Sequence, residues 1–229
     1  MSLILNIESS SKICSVALSL NGTLLYLKET DDKEFLHSKL LTVFIEDVFS
    51  KTGYKTTDLK AVAVSKGPGS YTGLRIGVST AKGIAYSLGI PVISVETLQA
   101  MSSEISQKYK EENTLYCPML DARRMEVYCA IYNNENNLVK KISADIINKD
   151  SFSEYLSGNK IYFFGDGASK CKEIIKHNNA VFLENINPSS KNMINFSYKS
   201  FTNSNFEDIA YFEPFYLKDF IATVPKNKF

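Results

Sequence analysis

Residues 66–77 read Lys66-Gly67-Pro68-Gly69-Ser70-Tyr71-Thr72-Gly73-Leu74-Arg75-Ile76-Gly77. The apolar residues at 61–65 predict a strand just before this stretch, and the apolar spacing at 74–88 predicts a helix after it. A strand, a glycine-rich turn and a helix in this order present unpaired backbone N–H groups and partial positive charge at one point. Many α/β proteins bind an anion there. The surrounding sequence must show whether residues 66–77 form an anion-binding loop or only a turn.

Neither common phosphate-loop pattern fits the glycines at 67, 69 and 73. The P-loop pattern requires a lysine directly after its second glycine, and Gly73 is followed by Leu74. The dinucleotide pattern requires a closer spacing, and its loop follows the first strand, whereas three strands and a helix are predicted before Gly67. Glu96 ends the next predicted strand, as the acidic residue of a nicotinamide site would. An NAD-binding module and a plain turn therefore remain alternatives.

The order of predicted elements is repeated along the chain. In the first half we expect strands at 3–8, 14–20, 23–28, 61–65 and 91–95 and helices at 35–49, 74–88 and 97–108. In the second half we expect strands at 114–120, 125–132, 138–142, 160–164 and 180–183 and helices at 150–156 and 168–176. The common order predicts an α/β fold of two βββαβαβα-type halves, 1–108 and a smaller 109–213, with 214–229 packing back on the first. Residues 185–205 remain unassigned.

Composition and charge narrow the class of protein. The 229 residues carry a formal net charge of +1, which gives no global electrostatic case for nucleic-acid binding without a partner. The four cysteines form no CxxC pair, so they are expected to be reduced core residues. The N-terminus enters a strand without a signal sequence, and no apolar run is long enough to span a bilayer. These features predict a soluble, cytoplasmic protein.

The helix predicted at 74–88 carries two rows of small residues. The first row recurs at i+4 and the second lies beside it: Gly73, Gly77, Ala81 and Ala85, then Ser79, Gly83 and Ser87. A glycine inside a helix costs about 1 kcal/mol relative to alanine, so these glycines need a structural reason. One row fits close packing on the chain's own sheet. Two rows, with the wide apolar stripe of the 35–49 helix, predict that both helices also contact another subunit.

The residues expected at that interface are Leu36, Leu40, Phe44, Gly73, Arg75, Gly77, Ala81 and Ala85. If this is correct, the substitution Gly77→Leu abolishes pairing and leaves a folded monomer, because it adds bulk to the first small row.

Several motifs are similar to those of the bacterial TsaB family. The 66–77 stretch, continued by 81–85 and by Pro91-Val92, is the most specific of them. The others are Ile4-Leu5-Asn6-Ile7-Glu8-Ser9-Ser10, His37-Ser38 before Leu40-Leu41, Asp121-Ala122-Arg123-Arg124-Met125-Glu126-Val127-Tyr128, Gly165-Asp166-Gly167-Ala168 and Glu213-Pro214-Phe215-Tyr216-Leu217. Because the matches span most of the chain, the sequence closely resembles a member of that family.

The resemblance implies both a fold and a role. The fold is the duplicated actin/Hsp70/acetate-kinase-like (ribonuclease-H-like) fold, and the role is in making the threonylcarbamoyl modification (t6A) on the adenosine next to the tRNA anticodon. The family supplies the non-catalytic partner of a TsaD-type catalytic subunit, joined by a TsaE-type P-loop ATPase, and it also forms a homodimer through the same helices. The resemblance further implies contact with tRNA only within the complex and no required cofactor, although ATP or ADP could be held at an interface.

The residues that related proteins use for chemistry are altered in this chain. The catalytic sister carries two metal-binding histidines four residues apart, and Thr97 and Met101 stand at the matching positions, so neither a metal site nor a catalytic residue is expected. Weak nucleotide or anion contacts are expected at Glu8, Ser9, Ser10 and Lys12, at Asp121 and Arg123, and at Gly165, Asp166 and Gly167. Remnant turns at these positions and an ATP-hydrolysing enzyme of the same fold, acting alone, remain alternatives.

Overall fold

The structure is a computed structural model that describes residues 1–30 and 37–218, without the side chain of residue 37. The first half contains β1 Leu3–Glu8, β2 Cys14–Leu20, β3 Thr23–Thr30, α1 His37–Thr52, β4 Ala61–Gly67, α2 Tyr71–Leu88, β5 Val92–Glu96 and α3 Thr97–Lys108. The second contains β6 Thr114–Asp121, β7 Glu126–Tyr132, β8 Leu138–Ile146, α4 Ser153–Leu156, β9 Lys160–Phe164, α5 Ala168–Cys171 and β10 Ala180–Phe182. The helix α6 Ile194–Thr202 follows.

The two halves have the same sheet topology. The first sheet has the strand order β3-β2-β1-β4-β5, and the second has the order β8-β7-β6-β9-β10. In each sheet the first three strands of the half form an antiparallel meander. The fourth strand then pairs in parallel with the first strand, and the fifth with the fourth. The predicted α/β duplication is therefore confirmed.

The largest difference from the predicted elements of the second half is the length of α5. A helix was expected at 168–176, but α5 ends at Cys171 and continues only as turns. Downstream, the N–H of Asn179 donates to Nδ1 of His177 at 3.1 Å. This local bond between side chain and backbone fixes a turn between residue 176, where the helix was predicted to end, and β10.

The centre of the first sheet is buried on both faces. Every residue of β1 is buried, and so is nearly all of β4. Helices α1 and α2 cover one face, and α6 and part of α3 cover the other. A near-continuous apolar run is typical of a parallel pair packed in this way. The glycine loop, residues 67–70, thus begins at the end of a strand in the buried centre of this sheet.

The chain returns to the first sheet earlier than the sequence predicts. We expected only 214–229 to pack back, but the N–H of Ser190 donates to the hydroxyl of Ser15 at 3.0 Å. In α6, the Ser197 hydroxyl donates to Oδ1 of Asn6 at 2.6 Å. Asn6 and Ser15 are fully buried in the sheet, and a buried polar group needs a partner. The stretch 185–205 includes the residues that supply these partners.

All four cysteines are buried free thiols, as predicted. Within the described ranges, none of the helices has the length and apolar character needed to cross a membrane.

Candidate functional site

The glycine loop after β4 is packed against the chain's own backbone. The N–H of Ser70 donates to the carbonyl oxygen of Ser10, in the β1–β2 turn, at 2.6 Å. A Cβ atom at Gly69 would lie 2.2 Å from that oxygen, so this approach requires glycine. The hydroxyl of Ser70 accepts a hydrogen bond from the N–H of Gly73 and caps α2. Two donors that a phosphate would need at this helix start are therefore engaged within the chain.

The C-terminal segment packs on the other side of the same loop. The N–H of Phe215 donates to the carbonyl oxygen of Lys66 at 2.7 Å. Gly67 has a φ of +111°, and a Cβ atom there would lie 2.9 Å from the carbonyl oxygen of Phe215. The glycines thus allow two backbone segments to pack closely on the loop. Of the alternatives for 66–77, this geometry favours the turn.

The β1–β2 turn, where weak anion contacts were predicted, is mostly buried. The Glu8 side chain is only 1% exposed, and its Oε1 atom accepts the N–H of Ser10 at 2.7 Å. Burial raises the pKa of Glu8, and hydrogen bonds from neighbouring serines only partly oppose this. Within the described residues the hydroxyl of Ser9 has no hydrogen-bond partner. Lys12 is the exposed residue of this turn. A carboxyl this deeply buried is poorly placed to contact a nucleotide or anion that enters from solvent.

The raised pKa of Glu8 predicts a specific pH dependence of stability. A carboxyl with a higher pKa in the folded than in the unfolded state stabilises the fold at low pH. That stability is lost as the pH rises from the ordinary value of 4.5 through the folded-state pKa. Glu8→Gln keeps an oxygen acceptor but cannot ionise. Urea unfolding across this window should show a loss of about 1.4 kcal/mol per pH unit in the wild type relative to Glu8→Gln. Parallel curves for the two proteins would contradict the prediction.

In the second half, the predicted contacts gather around Asp166. Its Oδ1 atom accepts the N–H of Asp121 at 2.9 Å. Burial raises the pKa of Asp166; the negative charge of Asp121 adds to this effect, and the positive charge of Lys12 opposes it. The hairpin turns of the two halves therefore face each other. Lys170 already forms an ion pair with Asp121, so the local charge does not favour a phosphate.

Gly165 and Gly167 repeat in the second half what the glycine loop does in the first. Gly165 has a φ of +107°, and a Cβ atom there would lie 2.2 Å from the carbonyl oxygen of Met119. At Gly167 it would lie 2.8 Å from the carbonyl carbon of Leu120. Both glycines thus allow close packing on the end of β6.

The β6–β7 hairpin turn is organised by Asp121. Its Oδ1 atom accepts the N–H of Arg123 at 3.0 Å, and the N–H of Glu126 donates to the carbonyl oxygen of Arg123 at 3.1 Å. Arg123 and Arg124 have φ values of +70° and +47°. This is the Asp-initiated turn that the sequence left open beside a phosphate contact. The phosphate contact of Arg123 stays a prediction.

The positions that match the sister's metal ligands lie in the protein core. Thr97 and Met101 are each 1% exposed on α3, and Met101 belongs to an apolar cluster with residues of the second sheet. Among residues 1–30 and 37–218, no group of three or more histidines, cysteines or acidic side chains could hold a metal ion.

The first row of small residues on α2 faces the chain's own sheet. Its four members are all buried: Gly73, Gly77, Ala81 and Ala85. A Cβ atom at Gly77 would lie 2.2 Å from Oγ of Ser9 and 3.5 Å from a methyl carbon of Val64. The prediction that this row contacts another subunit is wrong, because its small size serves to bring α2 onto β4 and the β1–β2 turn.

The wide apolar stripe of α1 is also used inside the chain. Its buried residues all belong to the core of the first half: Leu41, Phe44, Ile45, Val48 and Phe49. Phe44, only 6% exposed, is therefore no surface residue, in contrast to the prediction. Leu40 is partly buried against the same cluster, and Leu36 lies outside the described residues. The stripe is wide because α1 packs against β2, β3 and α2 together.

A different side of α2 lies on the surface of the described structure. Arg75, Ser79, Gly83 and Tyr86 follow one another at steps of four, four and three residues, which places them on one side of the helix. All four are exposed, and Tyr86 is 82% exposed. We call these four residues the α2 face. The sequence indicated Arg75 as an interface residue and Ser79 and Gly83 as a small row, but it gave no signal for Tyr86.

The duplicated sheets, with hairpin turns and glycine loops meeting at the ends of the central strands, define an α/β protein of the actin-like class. The same fold occurs in a crystal structure from Pseudomonas aeruginosa, described as an uncharacterized protein with similarity to peptidase YeaZ. Its TM-score is 0.80 and its sequence identity is 22%, over 95% of this chain and 100% of that chain.

Sequence comparison identifies the family. A family model described as TsaD, tRNA N6-adenosine threonylcarbamoyltransferase, matches residues 34–226. The tRNA threonylcarbamoyladenosine biosynthesis protein TsaB of Buchnera aphidicola subsp. Schizaphis graminum is 31% identical over 203 residues, which are 86% of this chain and 93% of that protein. The protein of the same name from Escherichia coli K12 is 28% identical over 228 residues, 96% of each. This chain belongs to the TsaB family.

Proposed function

We propose that this chain is a non-catalytic subunit in the biosynthesis of threonylcarbamoyladenosine in tRNA. In this proposal it pairs with a TsaD-type catalytic subunit through the α2 face and thereby activates that subunit. Its membership of the TsaB family and its match to the TsaD family model support the pathway and the partner. Two observations support a role without catalysis by the chain itself. Glu8 is buried, and the glycine loop is packed against the chain's own backbone at Ser10 and Phe215.

The observation that carries the proposed pairing is Gly83. This residue lies in the middle of α2, is exposed, and has no atom within 4 Å of the position a Cβ would occupy. Glycine there costs the isolated helix about 1 kcal/mol relative to alanine. The described part of the chain gains nothing from it in return. A close approach by the backbone of another molecule would give the glycine a function.

Gly83→Leu should therefore abolish binding to the TsaD-type subunit while leaving the monomer folded. A leucine side chain here meets open space within the chain, and leucine is a better helix former than glycine by about 0.8 kcal/mol. Size-exclusion chromatography with the TsaD-type subunit of the same organism measures pairing, and thermal unfolding measures the fold. We expect loss of co-elution with an unchanged or higher Tm.

Gly158→Leu is the matched control. No atom lies within 4 Å of the position a Cβ would occupy at Gly158, and this residue lies in the second half, away from α2. Gly53 is unsuitable because its φ of +74° would strain any side chain. Gly158→Leu should co-elute like the wild type. If Gly83→Leu also co-elutes with the TsaD-type subunit, pairing through the α2 face is excluded.

The remaining parts of the proposal concern the assembly. We propose that a second copy competes for the same face, forming a homodimer, and that a TsaE-type ATPase and tRNA join only after the TsaD-type subunit has paired. ATP or ADP would then be held at an interface rather than by this chain alone, in the cytoplasm. Calorimetry of the isolated chain with ATP and Mg²⁺ tests this point. Stoichiometric binding with turnover would instead support a solitary ATP-hydrolysing enzyme.

A further inference from the structure

Arg75, at the start of the α2 face, is held in place by two tyrosines. Its guanidinium carbon lies 4.5 Å from the centre of the Tyr71 ring, one helical turn earlier. Its Nε atom donates to the hydroxyl of Tyr216 at 3.3 Å. The two tyrosine rings are 4.7 Å apart and inclined by 34°. The cluster thus joins α2 to a segment 141 residues further along the chain.

The segment that carries Tyr216 is itself fixed at both ends. On one side, Phe215 is bound through its N–H to the carbonyl oxygen of Lys66 at 2.7 Å. On the other side, Lys218 forms an ion pair with Glu126 of the second half. Tyr216 therefore cannot move away without breaking contacts to both halves of the molecule. The orientation of Arg75 depends on that anchored tyrosine.

The guanidinium remains exposed in spite of these contacts. Within residues 1–30 and 37–218, no carboxylate lies at ion-pair distance from Arg75, and the negative charge of Glu213 acts on it only from farther away. A free arginine side chain loses about 2 kcal/mol of rotamer entropy when it is immobilised, and here much of that loss has already occurred on folding. Arginine and tyrosine are also the residue types most often found as anchors of protein interfaces. Arg75 stands at one end of the α2 face, and Tyr86 at the other.

We propose that Arg75 is the charged anchor of the α2 face and that it receives a carboxylate side chain of the TsaD-type subunit. Tyr71 and Tyr216 are positioning residues that hold the planar guanidinium in one orientation. A bidentate ion pair requires this, because two N–H groups of the guanidinium must donate in parallel to the two oxygens of one carboxylate. This inference rests on the proposed function, and it adds the residue and the ligand chemistry that select the partner.

Titration calorimetry with the TsaD-type subunit tests both roles. We expect Arg75→Ala to weaken binding about tenfold or more. Arg75→Lys should restore only part of the affinity, because an ammonium group lacks the planar fork. Tyr216→Phe, which removes only the hydroxyl, should weaken binding about threefold, since the arginine must then be ordered on binding. Lys60→Ala is the control for loss of a positive charge: Lys60 precedes β4, at the end of the strand away from α2, and this variant should bind like the wild type.

The double variant Arg75→Ala/Tyr216→Phe distinguishes positioning from a general structural effect. If Tyr216 acts through Arg75, the double variant binds no more weakly than Arg75→Ala alone. Additive losses would overturn the positioning role, and affinity of Arg75→Ala within about twofold of the wild type would overturn the anchor. If the wild type itself does not bind the TsaD-type subunit, the proposed function fails instead.

Discussion

Gly77→Leu should prevent the protein from folding stably, rather than release a folded monomer. Even a Cβ atom at this position would lie 2.2 Å from Oγ of Ser9 and 3.2 Å from its Cβ, and Ser9 is fully buried. Three further carbon atoms would have to enter the space between α2, β4 and the β1–β2 turn. We expect a loss of about 4 kcal/mol or more, out of a total stability that is typically 5–15 kcal/mol.

Gly83→Leu is the matched control, because it places the same side chain in the same helix six residues later. Both substitutions have the same favourable effect on helix propensity, so the difference between them measures packing. Urea unfolding followed by circular dichroism gives both free energies. Equal stability of the two variants would show that α2 does not rest on Ser9 as described.

Gly165→Ala should be nearly as damaging, although it adds a single carbon atom. The φ of Gly165 is +107°, a region that residues with a side chain rarely adopt. A Cβ atom would also lie 2.2 Å from the carbonyl oxygen, 3.0 Å from the carbonyl carbon and 3.2 Å from the nitrogen of Met119. These are backbone atoms of β6 and cannot rotate away. We expect a loss of about 3 kcal/mol in the free energy of unfolding.

Gly158→Ala provides the control in the same half, because Gly158 has open space and a φ outside the positive range. It should be neutral within about 0.5 kcal/mol. Thermal unfolding of both variants, with the second-half aromatic residues as a near-ultraviolet probe, tests the prediction. A Gly165→Ala protein as stable as Gly158→Ala would mean that the turn can move away from β6.

Most of the fold could be predicted because its signals are local. Apolar runs, turn residues and their repeated order indicated both halves, and the motif around 66–77 indicated the family. The return of the chain at Ser190 and Ser197 could not be predicted in this way. Those serines are partners of the buried Asn6 and Ser15, more than 170 positions away along the chain, and no local pattern reports such a pairing.

The candidate site was predicted less well than the fold, and α2 shows why. The sequence of this region alone establishes a helix with two rows of small residues, a glycine loop before the helix, and membership of the TsaB family. Which row faces inward depends on the rotation of the helix about its axis, and Ser9 and Val64 set that rotation. Because both rows are equally small, only packing against distant residues could show that Gly77 is buried and that Gly83 is exposed.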